Sequence, residues 1–395
     1  MANVSGLAPP PKESAFTSLR RWWGGHAIAQ AVGLAGAALV VVWLGANVVG
    51  GMHRLGMAPN LDYLSQPANF DISESLLAYH AGDPYARAIL VGVLNTVKLA
   101  VAGCALATAL GVALGVARIA GNPLLSGLIA AYVEAARNTP LTLQLFFWIA
   151  ATRALPPVRQ ALRPLPDVYF SVRGVYLPSL SVESGEVWPI LALIVALILV
   201  VRFVHRRLRR PLRAREWLLV AAAALVAPAA WVWLDGLRFA LDAPTLKGFN
   251  IVGGLSLTPE FAAMLVGLSL YYAANIAEIV RSGLQSVSAG QWEAARALGL
   301  APLRVLQLVV LPQAMRVITP LMTSSYLDLT KDTTLGVLIG FTELTAVIKT
   351  SANNTGNAVE TILALVVVFL SISLPVSAAI NAYNRALARR GFATR

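Results

Sequence analysis

The chain has 395 residues, 57% hydrophobic and only 13% charged, with a mean hydropathy of +0.68 and a formal net charge of +12. A soluble domain carries about a quarter charged residues, so the composition excludes a water-soluble globule and defines a polytopic membrane protein. Most basic residues flank apolar runs, where they orient helices in a bilayer, so the positive balance does not point to nucleic acid.

Apolar runs of spanning length, about 20 residues each, fall near 27–50, 86–117, 125–152, 188–204, 217–235, 260–281, 316–341 and 360–384. They predict an all-α fold of about eight transmembrane helices. The first 20 residues are polar and Pro-rich, unlike a cleavable signal peptide. Trp22, Trp23, Trp188, Trp217, Trp231 and Trp233 sit near run ends, where indoles anchor at the interface. Gly103, Ala107, Gly111 and Gly115 in the second run recur every fourth residue. On a helix they form one slim stripe that lets another helix approach closely, either within this chain or, less favoured, at a dimer seam. Cys104 is the single cysteine, and His26, His53, His80 and His205 are scattered, so neither an internal disulfide nor a metal site is expected.

With the N-terminus inside, segments 1–26, 118–124, 202–216, 281–316 and 385–395 hold 19 basic residues in 95 positions. The opposite segments, 51–88, 153–187, 236–259 and 342–359, hold 9 in 115. This asymmetry predicts both termini in the cytoplasm. The segment 153–187, with Arg153, Arg159, Arg163 and Arg173, fits that rule least well.

Between the sixth and seventh runs lies "SAGQWEAARALGLAPLRVLQLVVLPQA", residues 288–314. Residues 290–298 are good helix formers, Gly299 supplies the residue expected just past a helix end, and Pro302 suits the first turn of a new helix. A second amphipathic run reaches Leu311, and Pro312 marks entry into the next span. The pattern predicts helix, tight turn, helix on the cytoplasmic side. Ala294 and Ala295 are expected to keep one face slim, and Glu293 and Arg296 are spaced to pair. From the residues alone, an amphipathic loop lying on the bilayer remains an equal reading.

The letters of this segment resemble the signature of inner-membrane permease subunits of ABC importers. That signature reads Glu-Ala-Ala, three residues, Gly, nine residues, Ile, one residue, Leu-Pro. Here Glu293, Ala294, Ala295, Gly299, Leu311 and Pro312 match in spacing, with Val309 in place of the Ile. The resemblance implies a joint that docks into a cytoplasmic ATPase. No Gly-x4-Gly-Lys-Ser/Thr loop surrounds any of the five lysines, Lys12, Lys98, Lys247, Lys331 and Lys349, so ATP is expected to be bound by a partner chain and no cofactor by this one.

"NTVKLA" (95–100), "YVEAARNTPLTLQLFFW" (132–148), "AEIVRSGLQSVSAGQWEAARALGL" (277–300) and "LTKDTTLGVLIGFTELT" (329–345) are similar to the polar-amino-acid permeases that serve histidine, glutamine and glutamate uptake. The resemblance implies a five-helix type I importer core split between 86–152 and 258–384, with the coupling loop at 283–315. Around it stand a cytoplasmic segment 1–26, an extra span and periplasmic loop 27–85, an insertion 153–257 with two further spans, and a tail 385–395. This enlarged layout is similar to the permeases of general L-amino-acid or glutamate/glutamine/aspartate/asparagine importers. It implies a bacterial inner-membrane location, a cytoplasmic ATPase, a second and different permease chain, and a periplasmic amino-acid-binding protein. A stand-alone secondary transporter or channel is the alternative. No convergent nucleophile, base or metal set appears that would make the chain an enzyme.

Charges at membrane depth are costly and call for partners. Glu134 and Arg137, spaced i, i+3, are expected to pair, and Asn138 and Thr139 precede Pro140, which removes a backbone donor and frees a carbonyl upstream. Lys331 and Asp332 form a second expected pair, followed by Thr333 and Thr334. These residues are candidates for the translocation path or for structural ion pairs.

Overall fold

In the computed structural model, residues 27–54, 61–119, 122–184 and 238–387 are described. The spans expected at 188–204 and 217–235, the segment 1–26 and the chain end beyond 387 lie outside them. The chain divides into two compact units, Met1–Tyr63 and Leu64–Arg395. The first contains α1 (Ala27–Arg54), apolar and exposed along almost its whole length, a surface that suits lipid on all sides.

The second unit is mainly helical. It holds α2 (Tyr85–Ala117), α3 (Pro123–Asn138), α4 (Leu141–Arg153), α5 (Pro259–Gln285), α6 (Ala289–Ala297), α7 (Pro302–Val305), α8 (Leu311–Asp332), α9 (Leu344–Thr355) and α10 (Ala358–Leu387). Among the described residues, four stretches are long and apolar enough to cross a membrane: 28–54, 85–117, 259–285 and 302–338. The run expected as one helix over 125–152 is two. Pro140 has no N–H to donate to the Ala136 carbonyl, so the helix ends at Asn138 and restarts at Leu141.

Helix ends follow local chemistry. Pro123 follows Asn122, whose side chain accepts hydrogen bonds from the N–H groups of Leu124 and Leu125, both at 3.1 Å. Pro259 follows Thr258, whose hydroxyl accepts from Phe261 N–H at 3.2 Å. The stretch 342–359, read from the sequence only as an external connection, contains α9. Its first turn is capped by the buried Glu343 carboxylate, which accepts from Thr345 N–H at 2.7 Å and Ala346 N–H at 3.0 Å.

The centre of the unit is the contact of α2 with α5. The slim stripe of α2 is buried within the chain itself, which decides between the two readings of it. A Cβ on Gly111 would lie 2.6 Å from Ile276 Cβ and 2.9 Å from the Ala273 carbonyl oxygen. On Gly115 it would lie 2.7 Å from Val280 Cβ and 2.8 Å from the Ala277 carbonyl oxygen. Helix α5 answers with small residues of its own, and Ala273, Ala274 and Ala277 are completely buried. Around this seam Leu99, Leu145, Phe261, Met264, Leu268, Ile318, Leu329 and Phe341 complete one continuous core.

Polar stitches close one end of the bundle. Asn95 of α2 donates to the Glu74 carbonyl at 2.6 Å and the Thr342 carbonyl at 2.9 Å. The buried Glu74 carboxylate pairs with Lys98 and accepts from Thr258 N–H at 3.1 Å, while Lys98 lies 4.4 Å over the Phe261 ring. The segment after Leu64 is thereby fixed to α2, α5 and the start of α9.

Among the described residues, seven short strands stand between α4 and α5, an addition that the all-helical reading of the sequence did not contain. β1 (Tyr169–Ser171), β2 (Gly174–Leu177) and β7 (Leu255–Leu257) form an antiparallel sheet in the order β1-β2-β7. β3 (Ser179–Ser184) pairs with β4 (Arg238–Asp242), and β5 (Thr245–Lys247) with β6 (Asn250–Val252). Their runs of three to six residues are too short for an alternating pattern to show in sequence.

The α2–α5 seam yields a direct test. Gly111→Ala places a methyl against backbone and a branched side chain, so it is expected to destabilise the folded protein by about 1–3 kcal/mol. Gly127→Ala, where nothing lies within 4 Å of the added Cβ, is expected to leave stability unchanged. Thermal unfolding in detergent distinguishes the two variants.

Candidate functional site

Two features concentrate the unusual chemistry: the hairpin that follows α5 and a polar cavity farther along the same helices.

In the hairpin, α6 ends at Ala297 and Gly299 turns the chain with φ +73°. Pro302 opens α7. The second arm does not stop at Pro312. A π turn over Leu306–Val310 carries α7 into α8, with Leu311 N–H donating to the Leu306 carbonyl. The wider turn accommodates the proline, which cannot donate and whose ring crowds the preceding carbonyls. Gln313 ties the arms together, donating to Gln291 Oε1 at 3.1 Å and to the Val309 carbonyl at 3.0 Å.

The six signature residues are not on one face. Glu293, Ala294 and Gly299 are exposed, together with Leu298 at 81% exposure. Ala295 is buried, in the same core as Val287, Val305 and Val310, so the two alanines do not form the shared slim surface expected of them. Leu311 and Pro312 lie at the hairpin's base, where the π turn joins α8. The expected Glu293–Arg296 pair is not formed. The Arg296 guanidinium instead lies 6.0 Å over the Trp292 ring.

The polar cavity, about 330 Å³, lies between α3, α5 and α8. Arg137 enters it from α3; Tyr271, Asn275, Glu278 and Ser282 from α5; Ser325 and Asp328 from α8. Glu278 is neutralised by Arg118, whose Nη1 lies 2.6 Å from Oε2, and by Arg281, whose Nε donates at 3.0 Å. Among the described residues no carboxylate lies within hydrogen-bonding range of Arg137. The Glu134–Arg137 pair expected from the i, i+3 spacing is absent, because Glu134 points outward, exposed, while Arg137 faces the cavity.

The second expected pair is also redistributed. Lys331 lies 3.7 Å from Asp328, one helical turn back, and Asp332 accepts from the Tyr272 hydroxyl at 2.7 Å. Adjacent residues on a helix point about 100° apart and cannot face each other. Thr333 is buried and donates to the Thr330 carbonyl at 2.8 Å, a structural role. Thr139 donates to the Ala135 carbonyl at 2.8 Å, and Asn138 is exposed outside the cavity.

The sequence reading missed Asn275, Ser325, Asp328 and Gln144. The first three carried a signal. Residues 271, 275, 278 and 282 repeat at helical spacing, a polar stripe inside an apolar run, and Ser325 and Asp328 lie i, i+3 on the facing helix. Gln144 carried none: its amide donates to the Ala136 carbonyl at 2.8 Å and the Thr139 carbonyl at 3.1 Å. It thus satisfies the acceptor that Pro140 leaves without a partner.

A larger cavity, about 630 Å³ and lined mostly by apolar groups, opens between α2, α5 and α8 at the hairpin's base, with the Thr108 and Tyr326 hydroxyls 2.9 Å apart in its wall.

Residues 107–390, more than two-thirds of the chain, match the profile of the binding-protein-dependent transport system inner membrane component family, and the chain belongs to that family. Within it, the chain is 39% identical over 355 residues to the putative amino-acid ABC transporter permease protein YhdX of Escherichia coli (strain K12), with 88% of this chain and 90% of the relative covered. It is 37% identical to the general L-amino acid transport system permease protein AapQ of Rhizobium johnstonii, over 88% of each chain. With the glutamate/glutamine/aspartate/asparagine transport system permease protein BztB of Rhodobacter capsulatus it shares 34% identity, over 88% of this chain and 90% of the relative.

Gln144→Leu would remove the donor that satisfies the Ala136 carbonyl at the helix break. Leaving that group without a partner is expected to cost about 1–3 kcal/mol, read as a lowered unfolding temperature, whereas Gln144→Glu in its protonated form restores one donor and part of the loss.

Proposed function

We propose that this chain is a permease subunit of an ATP-driven importer of polar or general L-amino acids in the bacterial inner membrane, with both termini in the cytoplasm. A separate ATPase binds ATP and engages the hairpin through the exposed crest of α6. A second, different permease chain completes the pathway, and a periplasmic binding protein delivers the amino acid. Family membership together with the permease names of the three relatives supports this reading.

The observation that carries the substrate assignment is the cavity of Arg137 and Asp328. A zwitterion needs a cation for its carboxylate and an anion for its ammonium. Arg137 supplies the first, with a planar fork suited to carboxylate. Asp328 supplies the second, and Tyr271, Asn275 and Ser325 supply neutral hydrogen-bonding groups. Alternating access follows when ATP binding draws the hairpins of the two permease chains together and tips the bundle between two states, a difference of a few kcal/mol. A stand-alone secondary transporter would have no use for the hairpin signature.

Two measurements test the reading. In proteoliposomes holding the assembled transporter with its binding protein, Arg137→Gln and Asp328→Asn are each expected to lower amino-acid uptake at least about tenfold while basal ATP hydrolysis persists. Uptake driven by an ion gradient without ATP would sink the proposal. A cysteine at Ala294 is expected to crosslink to the ATPase in a nucleotide-dependent manner, and one at Ala295, buried in the chain's own core, is not.

A further inference from the structure

The insertion between α4 and α5 builds a small strand module with a core of its own. Val158, Tyr169 and Ile251 are its buried residues, with Ala161, Tyr176 and Leu246 packed against them. The backbone of Leu162 exchanges two hydrogen bonds with Phe170, each 2.9 Å, and β2 pairs with β7, which leads directly into α5. The module is therefore anchored to the helix that carries both the polar cavity and the hairpin.

Cations cluster on its outer surface. The Arg159 guanidinium stacks 3.6 Å over the Phe249 ring, and Arg163 lies 4.7 Å over Tyr169. Arg173 donates to Asn250 Oδ1 at 2.6 Å, and Asn250 is paired across the β5–β6 ribbon with Lys247. All four cations are exposed, and Phe249, at the ribbon's turn, is 67% exposed. Asp242 is turned inward, accepting from Gly254 N–H at 2.8 Å, and Asp167 is exposed in the turn before β1.

We propose that this basic, aromatic-backed surface is the docking site for an acidic face of the soluble binding protein. The inference rests on the proposed orientation, which puts the module outside the membrane. There a cluster of arginines contradicts the usual distribution of basic residues and needs another reason to exist. Stacking on Phe249 and Tyr169 and bonding to Asn250 hold the guanidiniums in place, so less side-chain freedom is lost when they meet carboxylates. Arginine and aromatic anchors are also the groups that dominate protein interfaces. Attraction to anionic lipid requires only mobile charge, and fixed, stacked guanidiniums fit a shaped protein surface better.

The test uses the complete transporter in neutral-lipid nanodiscs and the fluorescently labelled binding protein of the same system. Charge reversal, Arg159→Glu with Arg173→Glu, is expected to weaken binding at least about tenfold and flatten its salt dependence, with basal ATP hydrolysis unchanged. The paired Lys substitutions keep the charge but lose the stacked, pre-organised guanidinium fork, so they are expected to weaken binding by a few-fold, less than the reversal does. Unchanged affinity in the reversed variant overturns the proposal. So does a reversal that alters only the response to added phosphatidylglycerol, which would assign the surface to lipid headgroups. A cysteine at Lys247 reports orientation separately, through labelling of spheroplasts by an impermeant maleimide. Labelling only in inverted vesicles would overturn the orientation and the docking with it, whereas external labelling with unchanged binding rejects the docking alone.

Discussion

The close approach of α2 to α5 is the constraint on which the rest of the structure depends. In lipid, helices gain nothing from hiding apolar surface, so association rests on packing and on the few polar contacts available. Gly111 and Gly115 bring backbone against backbone, and the alanines of α5 complete the fit. Once that seam is set, α5 presents its other faces to α3, α4 and α8. The polar cavity lies on one of those faces and the larger apolar cavity on another.

The cavity and the hairpin are parts of one mechanical element. From Glu278 in the cavity wall, α5 runs to Gln285 and the hairpin begins at Ala289. From the hairpin's base, α8 returns to Asp328 over about 25 Å at 1.5 Å per residue, with Pro320 inside it. A displacement of the hairpin therefore acts on both walls of the cavity through continuous helices. The π turn at Leu306–Val310 and the proline within α8 are places where such a rod yields without losing its hydrogen bonds altogether.

Charged groups show how tertiary structure redistributes what sequence spacing proposes. Glu278, Arg118 and Arg281 join two helices through one carboxylate shared by two guanidiniums, while Arg137 is left facing open space. The i, i+3 rule identified residues able to meet, but a helical pair competes with any partner that a neighbouring helix brings closer. The same competition moved Lys331 to Asp328 and Asp332 to Tyr272.

The sequence alone determined the membrane class, five of the described helices to within a few residues, the carbonyl freed by Pro140, the turn at Gly299 and the slim face of α2. Each of these follows from interactions within one or two helical turns: hydrophobic length, a missing N–H, a tolerated positive φ, a four-residue repeat. Only the tertiary structure decided that the slim face meets α5, that Ala295 is buried while Ala294 is exposed, and that Gln144 satisfies the broken helix. It also decided that Arg137, Asn275 and Asp328 share one cavity and that short strands gather Arg159, Arg173 and Lys247 on one surface. Those outcomes depend on contacts between residues far apart in the chain, and no local pattern encodes which of several competing partners will arrive first at hydrogen-bonding distance.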